Sequence, residues 1–175
     1  MKNTLSRPLW APWRIEFIKR PKPDICFLCE KGQAGAADAE NLVIARGEGI
    51  YVLVNTYPYN SGHLLISPYR HVPDLADLTA AELTEMMTLT IKAKAVMSAV
   101  MRPDGFNFGF NLGAAAGAGV PGHVHGHLVP RWIGDTNFMP VIGDTRVVPQ
   151  ALRETAEMLR HAWKRQRGRG HEGAE

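Results

Sequence analysis

Residues 122–132 read GHVHGHLVPRW and place histidines at 123, 125 and 127. Successive side chains of a β-strand point to opposite faces, so residues i, i+2 and i+4 share one face. Val124, Gly126, Leu128 and Val129 suit a buried strand better than a helix. The stretch is read as a strand with a row of imidazoles along one side. The chain has seven histidines and spends three of them here, which calls for a metal, an anion or a reaction. Same-face neighbours on a strand sit roughly 6.5–7 Å apart. Three in a row cannot easily converge on one ion, so a division of labour among them is expected.

The strand needs a sheet around it. NLVIARGEGIYVLVNTYPYNSGHLLISPYRHV holds three apolar runs, LVIA, IYVLVN and HLLISP, the last two separated by the turn-forming PYNSG. This is a meander of antiparallel strands. A long helix follows in LTAAELTEMMTLTIKAKAVMSAVM, where Thr79 and Glu82 have the spacing of a capping box. Leu83, Met86, Met87, Thr90, Ile91, Lys94 and Met97 recur at helical spacing, with the methionines read as core filling. GFNFGFNLG reads as a further strand, NFMPVIG as a short edge strand, and VPQALRETAEMLRHAWKR as a second, amphipathic helix. The sum is an α+β domain with an antiparallel sheet, one long central helix and a C-terminal helix. No internal repeat interrupts it.

Length and composition agree. A chain of 175 residues, 45% apolar and 21% charged, suits one globular domain with a real core. No apolar run is long enough to cross a bilayer, and the Pro-rich start MKNTLSRPLWAPWRIEF lacks the apolar stretch of a signal peptide. A cytoplasmic, soluble protein is expected. Residues 1–20 carry five basic side chains and one acidic, and residues 160–175 carry five and two, so the net charge of +3 resides in the ends. Residues 1–25 read as an irregular arm, 26–163 as the single domain, and 164–175 as a basic, disordered tail. Nothing aromatic interleaves with the charge of the tail KRQRGRGHEGAE, which argues against a nucleic-acid partner.

Two further stretches carry chemistry. The loop NLGAAAGAGVPG before the histidines has four glycines and three consecutive alanines. Small residues let backbone N–H groups approach a ligand and form a concave anion site, so beside three imidazoles the loop is a candidate phosphate cradle. Both cysteines, Cys26 and Cys29, lie in CFLC. A CxxC in a reducing compartment is a metal or redox motif, or two thiols that bind nothing. A structural zinc site wants four ligands, so histidines must supply the rest if metal binds.

The motif His-x-His-x-His followed by two apolar residues resembles that of the histidine triad (HIT) superfamily. GHLLISPYRHV resembles the segment that precedes the long helix in those proteins. The flanks LWAPWR, NTYPYNSGHL, FNFGFNLG and VPRWIGDTNFMPVIG resemble the HIT branch of bacterial diadenosine tetraphosphate (Ap4A) phosphorylases, which extends the likeness to most of the chain. The resemblance implies a HIT-like sheet and a nucleotidyl-transferring enzyme acting on purine nucleotides or dinucleoside polyphosphates. His125 would be the nucleophile that attacks the α-phosphorus and carries AMP, and His127 would hydrogen-bond the phosphate or leaving group. Backbone N–H groups of Gly117, Ala118, Gly119 and Val120 would hold phosphate oxygens, and Asn111 would contact phosphate. Asn55 falls where the family contacts the ribose, commonly with Asp; an Asn accepts with only one end of its amide. Cys26, Cys29, His71 and His123 match the structural zinc ligands of many members, one ion per chain, and the displacement itself requires no metal. His63 is read as a buried structural histidine; His161 and His171 are given no role.

Two departures from the family pattern stand out. Gly126 occupies a position usually aliphatic, which removes a packing side chain from the strand's back face. Gly119 stands where hydrolytic branches carry a polar residue, commonly Gln, so inorganic phosphate rather than water is the expected acceptor. A homodimer is also expected, since HIT proteins commonly join two sheets into one and an isolated sheet has edges to protect. The competing expectations are a general purine nucleotide hydrolase or phosphoramidase, and a nucleotide-binding protein with little turnover.

Overall fold

The computed structural model describes residues 25–33, 37–135 and 151–169. The chain forms a short helix α1 (Phe27–Gly32), strands β1 (Val43–Arg46), β2 (Ile50–Val54) and β3 (Leu64–Pro68), the long helix α2 (Ala80–Met101), strands β4 (Gly105–Phe110) and β5 (Gly126–Arg131), and helix α3 (Leu152–Arg169). The five strands make one antiparallel sheet in the order β1-β2-β3-β5-β4. This is the α+β architecture expected from the sequence.

Strand alternation sorts the side chains into two layers. Ile50, Val52, Val54, Leu64, Ile66, Val124 and Leu128 face the helices and form the main core with Met86, Ala93, Val96 and Met97 of α2 and Ala156, Leu159, Ala162 and Trp163 of α3. Tyr51, Leu53 and Leu65 form a smaller cluster on the opposite face with Leu28 of α1. The register Leu53↔Leu65 and Leu65↔His127 puts His127 on that second face. The histidines thus lie away from the two long helices, beside α1.

Helix α2 starts at the expected capping box: the Thr79 hydroxyl accepts from the Glu82 N–H, and the Glu82 carboxylate accepts from the Thr79 N–H. Its apolar spacing divides between two faces. Met86, Thr90 and Met97 are buried, whereas Leu83, Met87 and Ile91 are 38%, 46% and 65% exposed. Met87 is therefore not core filling. The triad strand also begins later than expected. His123 and His125 precede β5, on a run outside the strand whose Val124 N–H donates to the Val72 carbonyl (2.7 Å); only His127 lies within the strand. Helix α3 runs through Arg169, beyond the boundary drawn at residue 163. Residues 1–24 of the arm drawn at 1–25, the expected edge strand NFMPVIG and residues 170–175 lie outside the described residues.

Gly126 faces the helix side, opposite Phe110. An added Cβ there would stand 3.2 Å from Phe108 and from Phe110. The missing aliphatic side chain is thus replaced by two aromatic rings from the neighbouring strand.

Candidate active site

The three histidines divide as their spacing suggested. His123 is fully buried and turns toward the cysteines. Its Nε2 lies 2.9 Å from the Pro68 carbonyl oxygen, which can only accept, so Nε2 carries the proton and Nδ1 keeps its lone pair. Burial pushes its pKa down to about 4, which keeps the ring neutral. Nδ1 stands 3.4 Å from the Cys26 sulfur and 3.5 Å from that of Cys29, and His71 Nδ1 is 3.3 Å from Cys29. All four ligand atoms lie within 4.8 Å of one another. A tetrahedral zinc with bonds of about 2.0–2.3 Å needs ligand atoms about 3.3–3.8 Å apart. The donor chemistry, the spacing and the proton on the far side of His123 fit such an ion.

Local sequence builds this cluster. Helix α1 has only six residues, too few to persist alone. The Tyr51 hydroxyl donates to the Leu28 carbonyl (2.6 Å), and the Arg46 guanidinium donates to the carbonyls of Gly32 (2.7 Å) and Lys31 (3.0 Å). Asp38 holds Arg46 in turn at 2.7 Å. His71 leaves β3 directly after Arg70, which pairs with Glu82 at 2.6 Å. The backbone at Gly122 lies against the His71 ring, where a Cβ would come within 3.1 Å of Nε2.

His125 is buried, and its Nδ1 lies 2.7 Å from the carbonyl oxygen of His123. That bond places the proton on Nδ1 and leaves the lone pair on Nε2. Burial lowers its pKa, which favours the neutral ring that a nucleophile needs. The cysteine–histidine cluster and His125 therefore share one residue, His123, through its side chain and its carbonyl.

The His127 ring lies 4.9 Å from that of His125. Its Nε2 is 3.4 Å from the Asn111 amide nitrogen, and its Nδ1 is 3.0 Å from Nε2 of His63. His63 is fully buried, and its Nδ1 accepts from the Tyr59 N–H at 3.0 Å. The Tyr59 ring stacks on His127, with centroids 5.7 Å apart, and its hydroxyl is 3.4 Å from the Asn111 amide. Asn55 lies 3.2 Å from His63 Nδ1. His63 and Tyr59 are site residues that the sequence reading missed. His63 is buried, as expected, and it also holds His127. The available signal was its place two residues before Leu65, on the face that receives His127.

The glycine-rich loop connects Asn111 to the triad through a 3₁₀ turn at Ala114–Ala116. Gly113 and Gly117 adopt φ of +78° and +79°, the left-handed region open to glycine, and so permit the loop's path. The His123 N–H donates to the Val120 carbonyl at 3.2 Å, folding the loop back against the histidines.

The HIT domain pattern matches residues 36–132, a span that includes all three triad histidines, Asn55, His63, His71 and Asn111. The chain belongs to the HIT family. It is 44% identical over 172 residues to an AP-4-A phosphorylase of Mycobacterium tuberculosis, covering 94% of this chain and 88% of the relative. Among solved HIT structures, it resembles a zinc-bound histidine triad protein from Mycobacterium smegmatis, with TM-score 0.64, 24% identity, and coverage of 82% of this chain and 96% of the other. It also resembles the Caenorhabditis elegans NitFhit protein, with TM-score 0.56, 30% identity, and coverage of 69% and 27%. With such a relative over nearly its whole length, this HIT chain is an enzyme of the nucleotidyltransferase and hydrolase group.

Proposed function

We propose that the protein cleaves Ap4A-like dinucleoside polyphosphates at the α-phosphorus through an AMP-histidine intermediate, with inorganic phosphate as acceptor. The observation that carries this reading is the Nδ1 of His125 at 2.7 Å from the His123 carbonyl, which leaves Nε2 free to attack. In the first step His125 Nε2 bonds to the α-phosphorus, and the bond to the bridging oxygen breaks, its electron pair leaving with ATP. His127 donates a hydrogen bond to that oxygen. Asn111 and the backbone N–H groups of Gly117, Ala118, Gly119 and Val120 hold the phosphate oxygens as charge shifts. Asn55 contacts the ribose. In the second step a phosphate oxygen attacks the AMP phosphorus, ADP leaves, and the electron pair returns to Nε2. Gly119 has no side chain to orient a water, which favours phosphate as acceptor.

Cys26, Cys29, His71 and His123 hold a structural zinc in this reading, one per chain. A closed Cys₂His₂ set contributes folding energy and holds no substrate. Support comes from the ligand spacing and from the solved relative whose name records bound zinc. Thiolate ligands suit the reducing cytoplasm. Among the described residues no helix is long and apolar enough to cross a membrane. A homodimer belongs to the same reading. Among the described residues β4 is an edge strand; Leu83, Met87 and Ile91, spaced four apart on α2, leave an apolar stripe exposed, and Phe108 of β4 is exposed too.

The test is incubation with Ap4A, with and without millimolar phosphate, and chromatography of the products. Phosphorolysis gives ATP and ADP and accelerates with phosphate. If ADP never forms and AMP with ATP is the outcome, the enzyme is a hydrolase. If Ap4A binds but nothing is released, it is a nucleotide-binding protein.

A further inference from the structure

The contacts around His63 have a direction. The Tyr57 N–H donates to Asn55 Oδ1 at 2.9 Å, which fixes the amide with its oxygen toward Tyr57 and its nitrogen toward His63. Asn55 Nδ2 then lies 3.2 Å from His63 Nδ1, and the Tyr59 N–H lies 3.0 Å from the same atom. An amide N–H can only donate, so two donors converge on one ring nitrogen and hold it as an acceptor. The proton of neutral His63 must then sit on Nε2, which is 3.0 Å from His127 Nδ1. His127 Nδ1 accepts that hydrogen bond, and the His127 proton is left on Nε2; the Asn111 amide, whose nitrogen lies 3.4 Å from Nε2, must then turn its oxygen there, where the Tyr59 hydroxyl can equally donate to it.

We infer that Asn55 is a positioning residue for His127: acting through His63, it fixes the His127 proton on Nε2, where the departing phosphate oxygen is received. This rests on the reading that His127 serves the leaving group, and it adds to the ribose contact assigned to Asn55. Asn55 Oδ1 has a second lone pair for a hydroxyl, while Nδ2 belongs to the relay. The choice of Asn over Asp acquires a reason in this chain. A carboxylate at position 55 has no proton to donate to His63 and would draw one onto Nδ1. No covalent bond changes in the relay; each proton stays on its own ring nitrogen.

The test reads the nitrogen atoms directly. Long-range nitrogen–proton correlation spectra of the ligand-free protein, labelled at histidine, report which nitrogen of each ring bears the proton. Wild type is expected to show both His63 and His127 protonated on Nε2 and bare on Nδ1. Asn55→Asp is expected to protonate His63 at Nδ1. Its kcat for Ap4A should fall about tenfold or more while KM moves less than about threefold, the pattern of a lost transition-state contact. Asn55→Ala removes one of the two donors and leaves the Tyr59 N–H, so it is expected to lower the Nε2-protonated fraction of His63, though less than Asn55→Asp does. Wild-type spectra with His127 protonated on Nδ1 would overturn the inference whatever reaction the enzyme performs. So would an Asn55→Asp protein whose His63 stays bare on Nδ1, or one whose defect is confined to KM, since Asn55 would then be a ribose ligand alone. Failure of the phosphorolysis assay with the expected spectra would instead count against the proposed reaction.

Discussion

Replacing Gly126 with valine should destabilise the protein although valine favours strands. Gly126 does not adopt positive φ, so the backbone itself can accept a side chain. The obstacle is the neighbouring strand: a Cβ would meet Phe108 Cε2 and Phe110 Cε1 at 3.2 Å and Phe110 Cζ at 3.3 Å. Valine adds two methyl groups beyond that Cβ. Overpacking of this kind costs about 1–3 kcal/mol, and losing the glycine's backbone freedom returns about 0.5–1 kcal/mol. A net loss of about 1–2 kcal/mol follows, equivalent to a Tm lower by about 3–6 °C in a chain of this size. His125 and His127 flank the position, so the strand's displacement should also lower kcat. Thermal melts by circular dichroism give the stability, and adding Phe110→Leu should recover at least half of the loss, because the two sites share one volume. A Gly126→Val protein as stable as wild type with both phenylalanines intact would refute the packing account.

Purified protein should contain one zinc per chain by elemental analysis, and Cys26→Ser should lose both the metal and several kcal/mol of stability, of the order expected when metal binding is coupled to folding; unchanged zinc content would show the site to be misassigned. Sedimentation at micromolar concentration should find a dimer, and Ile91→Glu on the exposed stripe of α2 should shift it to monomer; a wild-type monomer would contradict the interface. Glu82 is held down to about 2, first by the hydrogen bond from Arg70 and then by those from Thr79. A carboxyl whose folded pKa lies below its unfolded value stabilises the fold above the unfolded value and loses that contribution as pH falls toward the folded one. Denaturation midpoints should therefore decline from about pH 4.5 toward pH 2, and Glu82→Gln should be less stable at neutral pH with a shallower acid decline; parallel pH profiles for the two proteins would count against this.

Much of the fold was legible because local signals agreed with the tertiary result. The apolar runs became β1, β2 and β3, and Thr79 with Glu82 capped the helix where the spacing placed it. The failures came where long-range packing decides. Helical periodicity marked Leu83, Met87 and Ile91 as apolar but could not say which of two neighbouring stripes would meet the sheet. Alternation put His123, His125 and His127 on one face correctly, yet Val124, between the first two, bonds to Val72 rather than within the sheet, a contact set by β3's exit. Gly126 read as a lost side chain because the compensating Phe108 and Phe110 belong to another strand. His63 looked structural because its partner, His127, is 64 residues away and appears only when β3 and β5 align.

The central claim is that His125 carries AMP. Rapid quenching into alkali after mixing with Ap4A labelled at the α-phosphate, followed by peptide mapping, should find the label on His125 in wild type. His125→Gly should bind nucleotide but carry none. Turnover of Ap4A with no label on His125, or with label on a different histidine, would contradict the assignment.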